Sequence, residues 1–78
     1  MKLSYGKIAD FSGTYYMVCI HEDISFSTIC EVRQWCIDTF GPCGWQEDLN
    51  MRWWDRIGYG EIDFSREADL HWFLLRWL

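Results

Sequence analysis

Four cysteines and two histidines are the side chains of this sequence best equipped for metal or nucleophile chemistry. Cys30, Cys36 and Cys43, with His21 or His71, form the conceivable zinc set. Short zinc motifs use ligand pairs about two to four residues apart on turns. Cys30 and Cys36 sit farther apart than that, and on a helix they would point about 120° away from one another. Cys19 and Cys36 read better as small buried hydrophobes, so no metal site is expected. A nucleophilic Cys or Ser would need an activating base in a cleft. Neither histidine belongs to such a motif, and so small a fold offers little pocket volume. Glu61 and Asp63 would share one strand face, about 7 Å apart by strand rise. Paired acids can do general acid–base work, but with Arg52 as neighbour a solvated strand face is the expected reading. No glycine-rich phosphate loop is present. The residues point to no catalysis and no cofactor.

Composition points to binding. The chain has 78 residues, which is one domain, 1–78, near the lower limit of independent stability. It carries six Trp, four Tyr and five Phe. Each buried aromatic removes roughly 150–250 Å² from water. A core this small cannot enclose them all, and exposed aromatics gather at contact surfaces. The net charge of −5 disfavours binding to phosphate backbones. Mild acidity serves solubility, or mimicry of nucleic acid before a basic partner. No apolar run follows Lys2 and none approaches the roughly 20 residues that span a bilayer, so the expectation is a cytoplasmic protein with reduced cysteines and no membrane association.

The elements that would position these residues can be read in order. Residues 1–13, punctuated by Gly6 and Gly13, suggest an edge strand or an irregular arm. Thr14 to His21 is aromatic and β-branched and reads as a strand with two apolar faces. A helix is expected from Ser27 to Thr39, with Ser25, Ser27 and Thr28 as candidate caps. Ile29, Val32, Cys36 and Phe40 recur at helical spacing, and Gly41-Pro42 ends the run. A polar connection follows over Pro42–Asn50. Met51 to Phe64 reads as a hairpin turning at Asp55–Gly58. Trp54 would pair with Tyr59, Arg52 with Glu61 and Met51 with Ile62, with Gly60 opposite Trp53. Met51, Trp53, Ile62 and Phe64 would then be buried, and Arg52, Trp54, Tyr59, Glu61 and Asp63 would share the other face; a one-residue slip would exchange the two. Ser65 would cap a last helix, with Ala68, Trp72 and Leu75 as one stripe and Phe73 and Trp77 as an adjacent one. Leu74–Leu78 has the character for a short final strand.

The predicted class is α+β. The order β-α-β-β-α is the split β-α-β pattern of ferredoxin-like folds: an antiparallel sheet with both helices on one face. Trp54 and Tyr59 would lie on the other, with Arg52 and Arg56 beside them and Glu61, Asp63 and Asp55 as an acidic rim. Trp, Tyr and Arg are the residues that dominate interface hot spots.

Glu31-Val-Arg-Gln-Trp-Cys36, Thr39-Phe-Gly-Pro42, Glu61-Ile-Asp-Phe64, Glu67-Ala-Asp69 and Phe73-Leu-Leu-Arg-Trp77 together resemble small uncharacterised proteins encoded by tailed bacteriophages, over roughly residues 18–77. The resemblance implies a viral origin and a cytoplasmic host context, and carries over no catalytic residue. The expected function is non-catalytic: binding a host protein or defence complex, to inhibit or redirect it, through Arg52, Trp54, Arg56, Tyr59, Glu61 and Asp63. The alternatives are a structural or assembly component that self-associates as a homo-oligomer, and an acidic nucleic-acid mimic.

Overall fold

The computed structural model describes residues 1–11, 13–44 and 51–78. The protein is α+β, with strands β1 (Leu3–Asp10) and β2 (Gly13–Ile20), helix α1 (Phe26–Phe40), strands β3 (Trp53–Arg56) and β4 (Glu61–Phe64), and helix α2 (Glu67–Trp77). The four strands form one antiparallel sheet in the order β1-β2-β4-β3, so the last strand made lies inside the sheet. Of the connection expected over Pro42–Asn50, residues 45–50 lie outside the described residues.

Leu3–Asp10 of the N-terminal segment form a strand, pairing without a break from Leu3↔Ile20 to Asp10↔Gly13. The chain therefore begins its structure with a β-hairpin. The expected final strand does not form: Leu74 to Trp77 continue α2, whose last backbone bond runs from the Leu78 N–H to the Leu74 carbonyl.

Pleat alternation sends Tyr16, Val18 and Ile20 of β2, Ile62 and Phe64 of β4 and Trp53 of β3 to the helix side. There they join Val32, Cys36 and Phe40 of α1 and Leu70, Phe73 and Trp77 of α2 in one core. Its centre is a run of edge-on and tilted rings. Trp35 meets Phe73 at 6.0 Å and Trp77 at 6.1 Å, and Phe64 meets Phe40 at 5.3 Å and Phe73 at 5.5 Å. Such ring pairs add about 0.5–1.5 kcal/mol each beyond area burial.

The helix ends show how locally these elements are specified. Ser25, one of three candidate caps, takes the role: its hydroxyl accepts from the Thr28 N–H, so α1 starts at Phe26 rather than Ser27. Gly41 closes α1 at φ 92°, a conformation that suits a residue without Cβ. Ser65 does not cap α2. The N-cap position is Arg66, and the Ser65 hydroxyl and N–H both donate to the Arg52 carbonyl. Of the two stripes on α2, the Phe73 and Trp77 stripe turns inward, while Ala68, Trp72 and Leu75 remain exposed.

Candidate functional site

The hairpin of β3 and β4 decides where the predicted binding residues go. Its register is Trp53↔Phe64, Trp54↔Asp63, Asp55↔Ile62 and Arg56↔Glu61. The turn falls later than expected, on a 3-10 segment Ile57–Tyr59 closed by Gly60 at φ 77°. Phe64, not Gly60, lies opposite Trp53, and Trp54 does not pair with Tyr59. Because the pairing moves by an even number of positions, the two faces keep their residues: Trp53, Ile62 and Phe64 inside, Trp54, Glu61 and Asp63 on the face without helices.

Register across all four strands arranges that face in rows. Gly6, Met17, Asp63 and Trp54 lie side by side, and the adjacent row is Ser4, Cys19, Glu61 and Arg56. Trp54, Arg56, Glu61 and Asp63 are thus brought together as expected, with Met17 and Cys19 added from β2. Strand alternation puts Met17 and Cys19 on one face of β2; only the pairing of β2 with β4, distant in the chain, shows which acids lie beside them.

Two predicted members are elsewhere. Arg52 precedes β3 and turns to the helix side, donating to both Asp69 carboxylate oxygens at 3.0 and 2.8 Å, with its guanidinium 5.4 Å from the Phe40 ring centre. Tyr59 rides on the turn, 94% exposed, off the sheet face. Asp55, expected at the rim, points to the helix side and is held by Arg33 of α1. Its carboxylate also accepts from the Ile57 N–H at 3.1 Å, which shapes the start of the turn.

Asp63 is the unusual group. It is only 6% exposed, although among the described residues no helix covers its face and no donor reaches its Oδ1. Arg56 Nε stands 3.7 Å from Oδ2, close enough to attract but too far to hydrogen-bond. Burial, and secondarily the neighbouring Glu61 carboxyl, push the Asp63 acid up to about 7, against the pull of Arg56. A protonated Asp63 needs a neighbouring acceptor rather than another donor, and Glu61 is one. Asp63 is therefore not the solvated rim charge expected from the sequence. It is a buried acid poised near neutrality.

At the far end of the second row the Ser4 hydroxyl and His21 Nε2 are 2.5 Å apart. That is the contact of a nucleophile with its base, yet both residues are exposed. No third group orients the imidazole among the described residues, as a nucleophile–base pair requires. Among the described residues no three His, Cys, Asp or Glu side chains converge as metal ligands. Cys30 and Cys43 are exposed, and Cys36 is enclosed in the core.

The chain matches no protein-family model, no curated protein and no solved structure. Function has to be argued from the face itself. What the rows offer is contact chemistry: an indole, a thioether and a guanidinium around a recessed acid. Where protein surfaces meet, Trp and Arg are the side chains that contribute large contact area and directional donors, and a thioether fills irregular shapes.

Among the described residues, no helix is long and apolar enough to cross a membrane.

Proposed function

We propose that the protein is a phage-encoded, non-catalytic binding protein that acts on a host protein or defence complex, inhibiting or redirecting it by occupying its surface. The observation that carries this reading is the sheet face without helices, where Trp54 and Arg56 flank Glu61 and Asp63. Trp and Arg there form the hot-spot centre, and the acids set the orientation of a partner with basic groups. The segment from β2 to α2 is read as the split β-α-β unit of ferredoxin-like folds. β1 then stands at the edge where such folds place their final strand. The host cytoplasm is the compartment in which this activity would be exercised.

Affinity capture from host cells tests the reading, with the wild type beside Trp54→Ala combined with Arg56→Ala. One stoichiometric host protein, held by the wild type and lost by the double variant, supports it. An identical captured set from both chains removes this face from consideration.

The exposed Trp72 and Leu75 of α2, with Leu78 just after it, favour a second reading, a structural or assembly component that self-associates. Recovery of only the protein itself, or of virion components, would favour that reading.

A further inference from the structure

β1 is an edge strand, and the direction of its backbone groups can be assigned residue by residue. The His21 N–H donates to the Lys2 carbonyl at 2.9 Å, and these two residues continue the β1–β2 register. In an antiparallel ladder, hydrogen-bonded and non-hydrogen-bonded pairs alternate. Ser4, Gly6, Ile8 and Asp10 therefore turn their N–H and carbonyl groups toward β2. Leu3, Tyr5, Lys7 and Ala9 turn theirs outward. The Ile20 N–H, opposite Leu3, confirms this alternation by turning away from β1 to the carbonyl of Gly60, just before β4, at 2.8 Å. Among the described residues, no hydrogen bond takes up the outward groups of β1.

Such an edge is a template for another strand unless it is short, bulged, interrupted by proline or strongly charged. β1 spans eight residues with no bulge and no proline. The opposite edge is different: the Gly44 N–H already bonds the Trp53 carbonyl at 2.8 Å.

We propose that β1 pairs antiparallel with β1 of a second copy of this chain, making one continuous eight-stranded sheet. The sequence of the strand is self-complementary in that arrangement. A two-fold axis through Gly6 sets Tyr5 opposite Lys7 of the second copy, Leu3 opposite Ala9, and Lys2 opposite Asp10. This register engages all four outward residues of each strand. Moving the axis to Lys7 would instead place two lysines face to face, which is destabilising.

Gly6 gives the axis its place. It falls on a non-hydrogen-bonded pair, where the two backbones approach to about 4.5 Å between Cα atoms. A glycine within a strand commonly marks such an approach. The pairing also accounts for Tyr5, which is 55% exposed on the helix side at the monomer edge. In the dimer Tyr5 lies across from the aliphatic stem and ammonium of Lys7. Both copies of α2, which lies over β2 and β4, then sit on the same side of the joined sheet.

Light scattering on the purified full chain, over a range of concentrations, tests the proposal together with two variants. Lys7→Pro deletes an outward N–H at a position that gives no hydrogen bond to β2, so the hairpin is retained while the pairing is lost. Gly6→Cys, in a background with Cys30→Ser and Cys43→Ser, places two thiols across the axis. A Cβ at residue 6 meets nothing within 4 Å in the monomer, and the Cα separation lies in the disulfide range of about 4.4–6.8 Å. The expected results are twice the chain mass for wild type, a single-chain mass with an unchanged circular dichroism spectrum for Lys7→Pro, and a reducible covalent dimer for Gly6→Cys. A single-chain mass for wild type at every concentration overturns the proposal. So does a dimer that Lys7→Pro leaves intact and that Gly6→Cys does not cross-link.

Discussion

Arg52 grips the Asp69 carboxylate with two parallel hydrogen bonds, Nε to Oδ2 at 3.0 Å and Nη2 to Oδ1 at 2.8 Å, and so ties the entry of β3 to the first turn of α2. Asp69 is almost fully buried, whereas the Arg52 side chain remains partly in water. Removing the arginine therefore strands a buried carboxylate, the costlier half of the pair to leave alone. Arg52→Ala is expected to destabilise the fold by about 2 kcal/mol, since hydrogen bonds to charged groups contribute roughly 1.5–3 kcal/mol. Arg52→Lys recovers little, because an ammonium cannot reproduce the planar fork. Urea denaturation of both variants, with Asp69→Asn to complete a double-mutant cycle, measures the coupling.

Asp63 links stability to pH. Its folded-state value of about 7 lies above the ordinary carboxyl value of 3.8, so the folded chain holds this proton more tightly than the unfolded chain. The resulting stability is fully present below pH 3.8, declines as pH rises, and is lost above about 7. By linkage the decline amounts to on the order of 4 kcal/mol, at about 1.4 kcal/mol per pH unit between 3.8 and about 7. Asp63→Asn keeps the shape without the charge. Its denaturation free energy should exceed that of the wild type above neutrality and lack this component of the slope. Parallel pH profiles of the two chains would refute the assignment.

The cysteines should separate by reactivity. Burial pushes the Cys36 thiol up to about 12, so the nucleophilic thiolate is scarce as well as enclosed. Cys30 and Cys43 are exposed. Timed alkylation followed by mass spectrometry should modify Cys30 and Cys43 in the native protein, and Cys36 only once denaturant is added.

Gly60 should resist substitution. It adopts φ +77°, and a Cβ there would come within 3.3 Å of the Ile20 carbonyl oxygen, which belongs to a neighbouring strand's backbone. Gly60→Ala is expected to cost about 1–3 kcal/mol, as for other residues held in sparsely populated backbone regions. Gly58→Ala, where an added Cβ meets nothing within 4 Å and φ is not positive, is the control and should change the melting temperature little.

The parts of this fold legible in the sequence are those specified within a few residues of themselves. Helix α1 is one, since its serine cap, helical apolar spacing and Gly41 stop are all local. The faces of β3 and β4 were also legible, because alternation survives an even shift in register. The register itself was not, since a 3-10 segment and a left-handed Gly60 can replace a four-residue turn without changing the apolar pattern. Arg52 left the predicted face because its partners, Asp69 and Phe40, lie far away in the chain. Helix α2 offered two apolar stripes of similar strength, and only the position of Phe64 and Trp35 chose the one containing Phe73. The burial of Asp63 depends on strands brought together by β2–β4 pairing, which no local pattern in either strand reveals.

The interior position of β4 has a consequence for how the chain is made. β2 is complete by Ile20, yet its inner partner spans Glu61–Phe64 and the helix that covers both begins only at Glu67. The edge of β2 that faces β4 is therefore open until the chain has been made some forty residues further, from Ile20 to Glu61. A pairing between strands so far apart in the chain incurs its loop-closure entropy before contacts offset it, which slows folding. The sheet closes only when β4 enters between β2 and β3, both of which precede it in the chain.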